Sequence, residues 1–241
     1  MKNHTANEVQ ASAITEYFDG IRDAAPVLVA VVPFSILFGA IALDKGLSFA
    51  EMLLASLSIY AVASQYVMLD LMGQKLPVWL IVLSVFALNF RHVLYSAAIG
   101  RKLSHFTGFE KTIAFFLLVD PQYAAAEARS LIKKLTPAYY FSYAATVYTT
   151  WVLANCIGGL FGKLIENPEI YGLDFILPLY FTALVVGFRS TSGFLWVASG
   201  SSVISLLIFF TIGSPWHISI GGLAGLAIAA TLSRPEETSH G

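Results

Sequence analysis

The stretch AAPVLVAVVPFSILFGAIAL, residues 24–43, decides the class of this protein. It carries no charge over 20 residues, and a helix crossing a ~30 Å hydrocarbon core needs about 20. It reads as a transmembrane helix.

The same reading extends outward along the chain. Residues 51–72 form a second apolar segment, entered through Glu51 and closed by Gly73. Residues 77–100 form a third, with Pro77 near its start, where proline is tolerated. Residues 112–129, 138–162, 173–189, 192–213 and 215–232 continue the series, the last two touching at Gly213-Ser214-Pro215. The expectation is an all-α integral membrane protein, a polytopic bundle of seven or eight transmembrane helices.

Composition agrees. Hydrophobic residues make up 57% of the chain and charged residues 12%, against about 25% charged in a soluble domain. The mean hydropathy is +0.72. A formal net charge of −1 gives no basic field for nucleic acid. The single cysteine, Cys156, excludes an intrachain disulfide and a cysteine-built zinc or iron–sulfur centre. No Walker A phosphate loop occurs, so ATP hydrolysis is not expected. The chain reads as no enzyme, with no cofactor and no metal.

Residues 1–23 lack an apolar core and hold Glu8, Glu16, Asp19 and Asp23, so no cleavable signal peptide is expected there. Ile14, Tyr17, Phe18 and Ile21 follow a three-four spacing, which suits a soluble or interfacial amphipathic segment. Residues 24–232 then form one transmembrane domain, and 233–241 a disordered polar tail.

Orientation is contradictory in the sequence. Lys and Arg favour cytoplasmic loops. Arg101, Lys102 and Lys111 follow the third segment; Arg129, Lys133 and Lys134 follow the fourth. If the fourth segment crosses, the two clusters lie on opposite faces. Either the rule is violated once, or a segment is re-entrant, as happens where transporters build their sites. Helix breakers point the same way: Pro26, Pro33 and Gly39 in the first segment, Pro121 in the fourth, Pro178 and Gly187 in the sixth. Some spans are therefore expected to be broken or kinked. Asn89-Phe90-Arg91 also resembles Gly187-Phe188-Arg189, a short match that raises the question of an inverted repeat.

The polar residues inside apolar segments carry the chemistry. A charge at mid-bilayer costs at least ~2.5–3.5 kcal/mol on insertion scales. Arg91 lies ~21 Å into its helix at ~1.5 Å per residue, and Asp120 lies near the middle of the fourth segment. They are expected to be close, either as a structural salt bridge or as a working pair. His92 titrates near neutral pH and suits either a proton relay or a neutral bond to a carbonyl. Asn89 and Gln65 offer amide donors and acceptors suited to a zwitterion, or to helix–helix contacts. Gly158-x-x-x-Gly162 and Gly221-x-x-x-Gly225 are close-packing faces. Tyr139, Tyr140, Phe141 and Tyr143 read as an interfacial aromatic belt.

The run Asn89-Phe90-Arg91-His92-Val93-Leu94-Tyr95 resembles the (N/D)-x-R-H-x-L-Y signature of the AzlC family, the large subunits of branched-chain amino acid exporters. Ile59 to Gln65 is similar to that family's I-Y-A-G-A-S-Q segment. Leu118-Val119-Asp120 with Tyr123-Ala124 is similar to its L-T-D-E-x-(Y/F)-A segment. Pro33-Phe34, Gly39 and Leu177-Pro178 also fit. Two departures stand out. Val62 replaces a usual glycine, so the second segment is expected to break less sharply. Pro121 replaces a usual acidic residue, which puts a two-carboxylate mechanism in doubt.

The resemblance implies export of neutral branched-chain amino acids such as valine or leucine across the bacterial cytoplasmic membrane. It implies the proton gradient as driving force and a small four-span AzlD-type partner subunit. Gln65, Asn89, Arg91, His92 and Asp120 would line the transport path, with Tyr60, Ser64, Tyr95, Tyr123 and Arg189 around them. Two other classes stay open: a structural or sensory subunit whose partner carries the path, and an intramembrane serine hydrolase built on Ser192 or Ser201 with His217.

Overall fold

The computed structural model describes residues 2–73, 76–161, 182, 185–186, 189–213 and 216–232. The described residues are helical and contain no strand. Helix α1 spans Lys2–Asp44, α2 Phe49–Ser58, α3 Val62–Gly73, α4 Val78–Asn89 and α5 Arg91–Gly100. Helix α6 spans Gly108–Phe116, α7 Asp120–Ser130, α8 Pro137–Phe161, α9 Phe194–Thr211 and α10 Trp216–Leu232. The sixth predicted segment, with Leu177, Pro178 and Gly187, the tail 233–241 and Gly162 lie outside the described residues.

Helices α1 and α8 form the central pair. They run parallel, because α1 meets α8 residues in rising order. A Cβ on Gly20 would lie 2.1 Å from Ser142 Oγ, and one on Gly39 would lie 2.1 Å from the Asn155 carbonyl. A Cβ on Gly158 would lie 1.9 Å from the Ile36 carbonyl, so the glycines let the two backbones touch. Trp151, Tyr143 and Val147 of α8 pack with Phe34, Phe38 and Ala42 of α1 in one core. Helix α1 continues through the expected boundary at residue 23, and Pro26 and Pro33 do not interrupt it.

One end of the molecule collects the start of α1, the end of α5, the start of α6, the end of α7 and the start of α8. Arg129 bonds Glu16 and Asp19 there at 2.9 and 2.8 Å. Lys102 pairs with Glu127 and donates to Ser130 at 2.8 Å. His105 Nε2 lies 2.7 Å from the Leu135 carbonyl. The other end collects the end of α1, the start of α2, the end of α3 and the end of α8. A Cβ on Gly73 would lie 2.9 Å from Lys45 Nζ, and one on Gly159 would meet Met52 and Phe49.

It follows that α2–α3 and α6–α7 each enter and leave at one end. They are re-entrant hairpins of opposite orientation. Their helices hold 9 to 12 residues, ~14–18 Å at ~1.5 Å per residue, which is half a bilayer. Between them α4–α5 crosses completely, passing through Phe90 in helical geometry (φ −56°, ψ −26°). The predicted crossings 51–72 and 112–129 are thus corrected to half-depth hairpins. The contradiction between the two basic clusters disappears with this: both lie at the same end.

The hairpins share a construction. Each begins with a capping box, Ser48 with Glu51 and Thr107 with Glu110, which satisfies the first free backbone donors of the helix. The turns follow at Ile59–Ala61 and at Leu117–Val119. Neither turn contains glycine. Ile59 has φ −102° and Leu117 φ −83°, values open to any residue. The α2–α3 break is complete despite Val62, contrary to the milder break expected. Pro121 stands in the first turn of α7, where its missing donor costs nothing.

Among the described residues four helices are long and apolar enough to cross a membrane: Ala13–Asp44, Val78–Gly100, Pro137–Phe161 and Phe194–Thr211. Phe49–Ser58 and Ile220–Leu232 are shorter apolar helices. Helices α9 and α10 pack against each other, with Gly221 and Gly225 facing Ser205 and Ser201, and α10 also packs on α4. The expected aromatic belt is corrected too. Tyr139, Tyr140 and Tyr143 are buried, because their hydroxyls reach Asp23, the Ala114 carbonyl and the Pro121 carbonyl.

Candidate functional site

The tips of the two hairpins meet halfway along α8. The Tyr148 ring lies 4.8 Å from the Tyr60 ring at one turn and 6.1 Å from the Phe116 ring at the other. Its hydroxyl donates to the Leu57 carbonyl at 3.0 Å. Breaking a helix in an apolar surrounding frees carbonyls that must be satisfied by protein. Tyr148 takes one. Gln65 adds a second donor to two more, its Nε2 donating to the carbonyls of Ala55 at 3.1 Å and Ile59 at 2.7 Å, which also accept the backbone N–H of Ile59 and Ala61. Gln65 is fully buried and its Oε1 has no hydrogen-bond partner. Its amide therefore staples the α2–α3 turn.

Both hairpins are also tied to the crossing helix α4–α5, on either side of Phe90. Ser64 of α3 donates to Asn89 Oδ1 at 2.5 Å. Arg91 Nη1 lies 3.0 Å from Asp120 Oδ2 at the start of α7. The side chains of the pair are 22% and 16% exposed, so each charge is largely withdrawn from its surroundings and needs the other. Tyr95, one turn beyond Arg91, donates its hydroxyl to Asp120 Oδ1 at 2.8 Å. Both carboxylate oxygens are thus engaged from α5. Tyr123 stacks on Tyr95 with centroids 4.4 Å apart and planes 10° apart, which fixes that ring.

His92 completes the group. Its ring lies 5.9 Å from Tyr95, edge to face. His92 Nε2 and Arg91 Nε are buried with no hydrogen-bond partner. Two unmatched donor or acceptor positions beside a salt bridge are costly at about 1–3 kcal/mol each. They give the site capacity for one more polar group.

The structure therefore gathers Asn89, Arg91, His92, Asp120, Tyr95, Tyr123 and Ser64 along the middle of α4–α5. Gln65 and Tyr60 belong to the α2–α3 turn on the Tyr148 side. Arg189 is exposed on a turn and lines a shallow cleft with Thr191 and Trp196. No contact joins it to the Arg91 group among the described residues. Ser201 donates to the Gly221 carbonyl at 2.7 Å and Ser205 to the His217 carbonyl at 3.0 Å, so these hydroxyls serve packing and give no support to a hydrolase.

Sequence reading missed two features. Tyr148 is one tyrosine among several on a long apolar helix, and only the meeting of the turns singles it out. The carboxylates Glu16, Asp19 and Asp23 do carry a signal, a three-four spacing that puts them on one helix face. They meet Arg129, Thr136 and Tyr139 across the helix ends.

The family model described as AzlC protein matches residues 26–165, the stretch that contains both hairpins and the crossing helix between them. The chain is 26% identical to the inner membrane protein YgaZ of Escherichia coli over 98% of its own length and 100% of that protein. It is 31% identical to an uncharacterized membrane protein of Archaeoglobus fulgidus over 69% of its own length and 73% of that protein. No solved structure matches.

Proposed function

The chain belongs to the AzlC family of membrane proteins, and from that premise we propose that it is a secondary transporter subunit. It exports neutral branched-chain amino acids of the valine and leucine class across the bacterial inner membrane as a multi-pass protein. The proton gradient drives it, and a small four-span AzlD-type subunit works beside it.

One observation carries this reading. Two opposed half-depth hairpins converge on a single crossing helix and hold the Arg91–Asp120 pair between them. Discontinuous helices meeting at the midplane suit alternating access, since each turn can yield toward its own side. The Arg91 guanidinium suits the substrate carboxylate and the Asp120 carboxylate its ammonium. His92 and Asp120 are the groups able to carry a proton. The aliphatic side chain would lie toward the Tyr60–Tyr148–Phe116 rings. Val78, Trp79, Val82 and Phe86 of α4 and Leu195, Trp196 and Phe210 of α9 are exposed, and the partner subunit would pack there.

Efflux of labelled leucine or valine from preloaded cells tests the proposal, with the chain and its partner gene expressed together and apart. Efflux that needs this chain and falls in Arg91→Ala at unchanged abundance supports it. Unchanged efflux of every neutral amino acid on deleting the chain sinks it.

A further inference from the structure

We propose that the α6–α7 hairpin is the cytoplasmic gate of the path described above, and that Arg129 is its positioning residue. The inference rests on the transport reading and adds the side, the gate and the latch. Arg129 stands at the last turn of α7, and Asp120 at its first residue. An 11-residue helix is a stiff rod of ~16 Å. What holds Arg129 therefore sets where Asp120 meets Arg91.

Arg129 is held tightly. Its Nη2 lies 2.9 Å from Glu16 and 2.8 Å from Asp19, both on α1. Its guanidinium also lies 4.4 Å over the Tyr139 ring. The side chains of Arg129, Glu16 and Asp19 are 10%, 11% and 16% exposed. Lys133, half exposed, stands 3.6 Å from Glu16 as a second cation. On the other flank, Lys102 of the α5 end pairs with Glu127 of α7. A simple brace between helices would be as well served by apolar packing, since a buried ion pair adds little net stability. An ionic cluster with a spare cation can instead change partners while the helix moves.

The side follows from charge. Arg22, Arg101, Lys102, Lys111, Arg129, Lys133 and Lys134 all lie at the end where this hairpin enters. Lys45 stands at the other end. Basic residues near span ends mark the cytoplasmic face. That makes α6–α7 the inner gate and α2–α3 the outer one.

Val119→Cys, at a buried position beside Asp120, reads the gate in a Cys156→Ser background. A membrane-impermeant thiol reagent is applied to inside-out and right-side-out vesicles, and labelling is scored per folded protein by size-exclusion. We expect labelling from the cytoplasmic side, faster by about tenfold in Asp19→Asn and Arg129→Gln if the latch is worth ~1.4 kcal/mol. Arg129→Lys, which keeps the charge and loses the fork, should lie between. Equal rates in all variants, or labelling from the outer side, overturn the proposal. Labelling needs no substrate, so faster labelling with no amino acid efflux would sink the transport reading and leave the latch standing.

Discussion

The Arg91 guanidinium and the Asp120 carboxylate meet 3.0 Å apart, joining the crossing helix to the tip of the α6–α7 hairpin. Tyr95 holds the second oxygen of the same carboxylate. Removing either charge leaves the other largely buried and unpaired, which costs about 3–5 kcal/mol when a pair is wholly buried and less here, where both side chains retain some exposure. Arg91→Ala and Asp120→Ala are each expected to abolish efflux and lower membrane abundance. Reversing the pair, Arg91→Asp with Asp120→Arg, should restore abundance without efflux, because Tyr95 can no longer bond the displaced carboxylate in the same way. Quantitative immunoblots beside efflux rates check this.

Tyr95→Phe is the gentler probe of the same carboxylate. The ring stack on Tyr123 remains, and one hydrogen bond to a charged group is lost, worth about 1.5–3 kcal/mol. Efflux should fall by about tenfold or more at near-normal abundance. Tyr123→Phe, whose ring keeps the stack, should change efflux little. Equal losses in both would argue against the specific role of the Tyr95 hydroxyl.

Gln65→Leu is expected to destabilise the fold. It removes the two bonds by which Gln65 Nε2, fully buried, ties the Ala55 and Ile59 carbonyls together across the turn. Each lost hydrogen bond costs about 0.5–1.5 kcal/mol. The melting temperature in detergent should drop by several degrees, and Gln65→Glu should not rescue it, since a carboxylate has no donor to give.

Gly158→Ala should prevent folding. Its Cβ would lie 1.9 Å from the Ile36 carbonyl, a backbone atom that cannot yield. Gly222→Ala, with nothing within 4 Å, is the matched control and should express as wild type. Fluorescence size-exclusion profiles of the two compare them directly.

The capping boxes predict a pH response at the mouths of both hairpins. The Ser48 hydroxyl and backbone hold the Glu51 carboxyl below its usual range, and the Thr107 backbone and hydroxyl do the same for Glu110. A depressed carboxyl stabilises the fold above its unfolded-state pKa and stops doing so as pH falls through its lowered value. Hydrogen exchange at the first turns of α2 and α6 should quicken on acidification. Ser48→Ala and Thr107→Ala should be fast throughout and lose most of that pH dependence.

Much of the protein was legible in the order of its residues. Twenty uncharged residues at 24–43 fix a membrane solvent, and the cost of a charge there fixes that Arg91 needs a partner. The clash of two basic clusters already demanded a re-entrant segment or an exception to the charge rule. Which segments return was not legible. Residues 51–72 are long and apolar enough to pass for a crossing, residues 112–129 carry Asp120, Glu127 and Arg129 in their second half, and composition does not register that a helix turns back at half depth. The repeated Ser/Thr-x-x-Glu at residues 48–51 and 107–110 was the available sign that the two segments begin alike.

By itself the sequence determined the solvent, the helices and the identity of the polar groups, because burial cost and helix periodicity are local properties of a stretch. The tertiary structure decided the pairing. Asp120 with Arg91 and Tyr95, Arg129 with Glu16 and Asp19, and Tyr148 with both turns join residues 25 to 113 positions apart. Such partners are set by where two hairpins turn and by how closely glycines let α1 and α8 approach, and no single stretch of chain contains that distance.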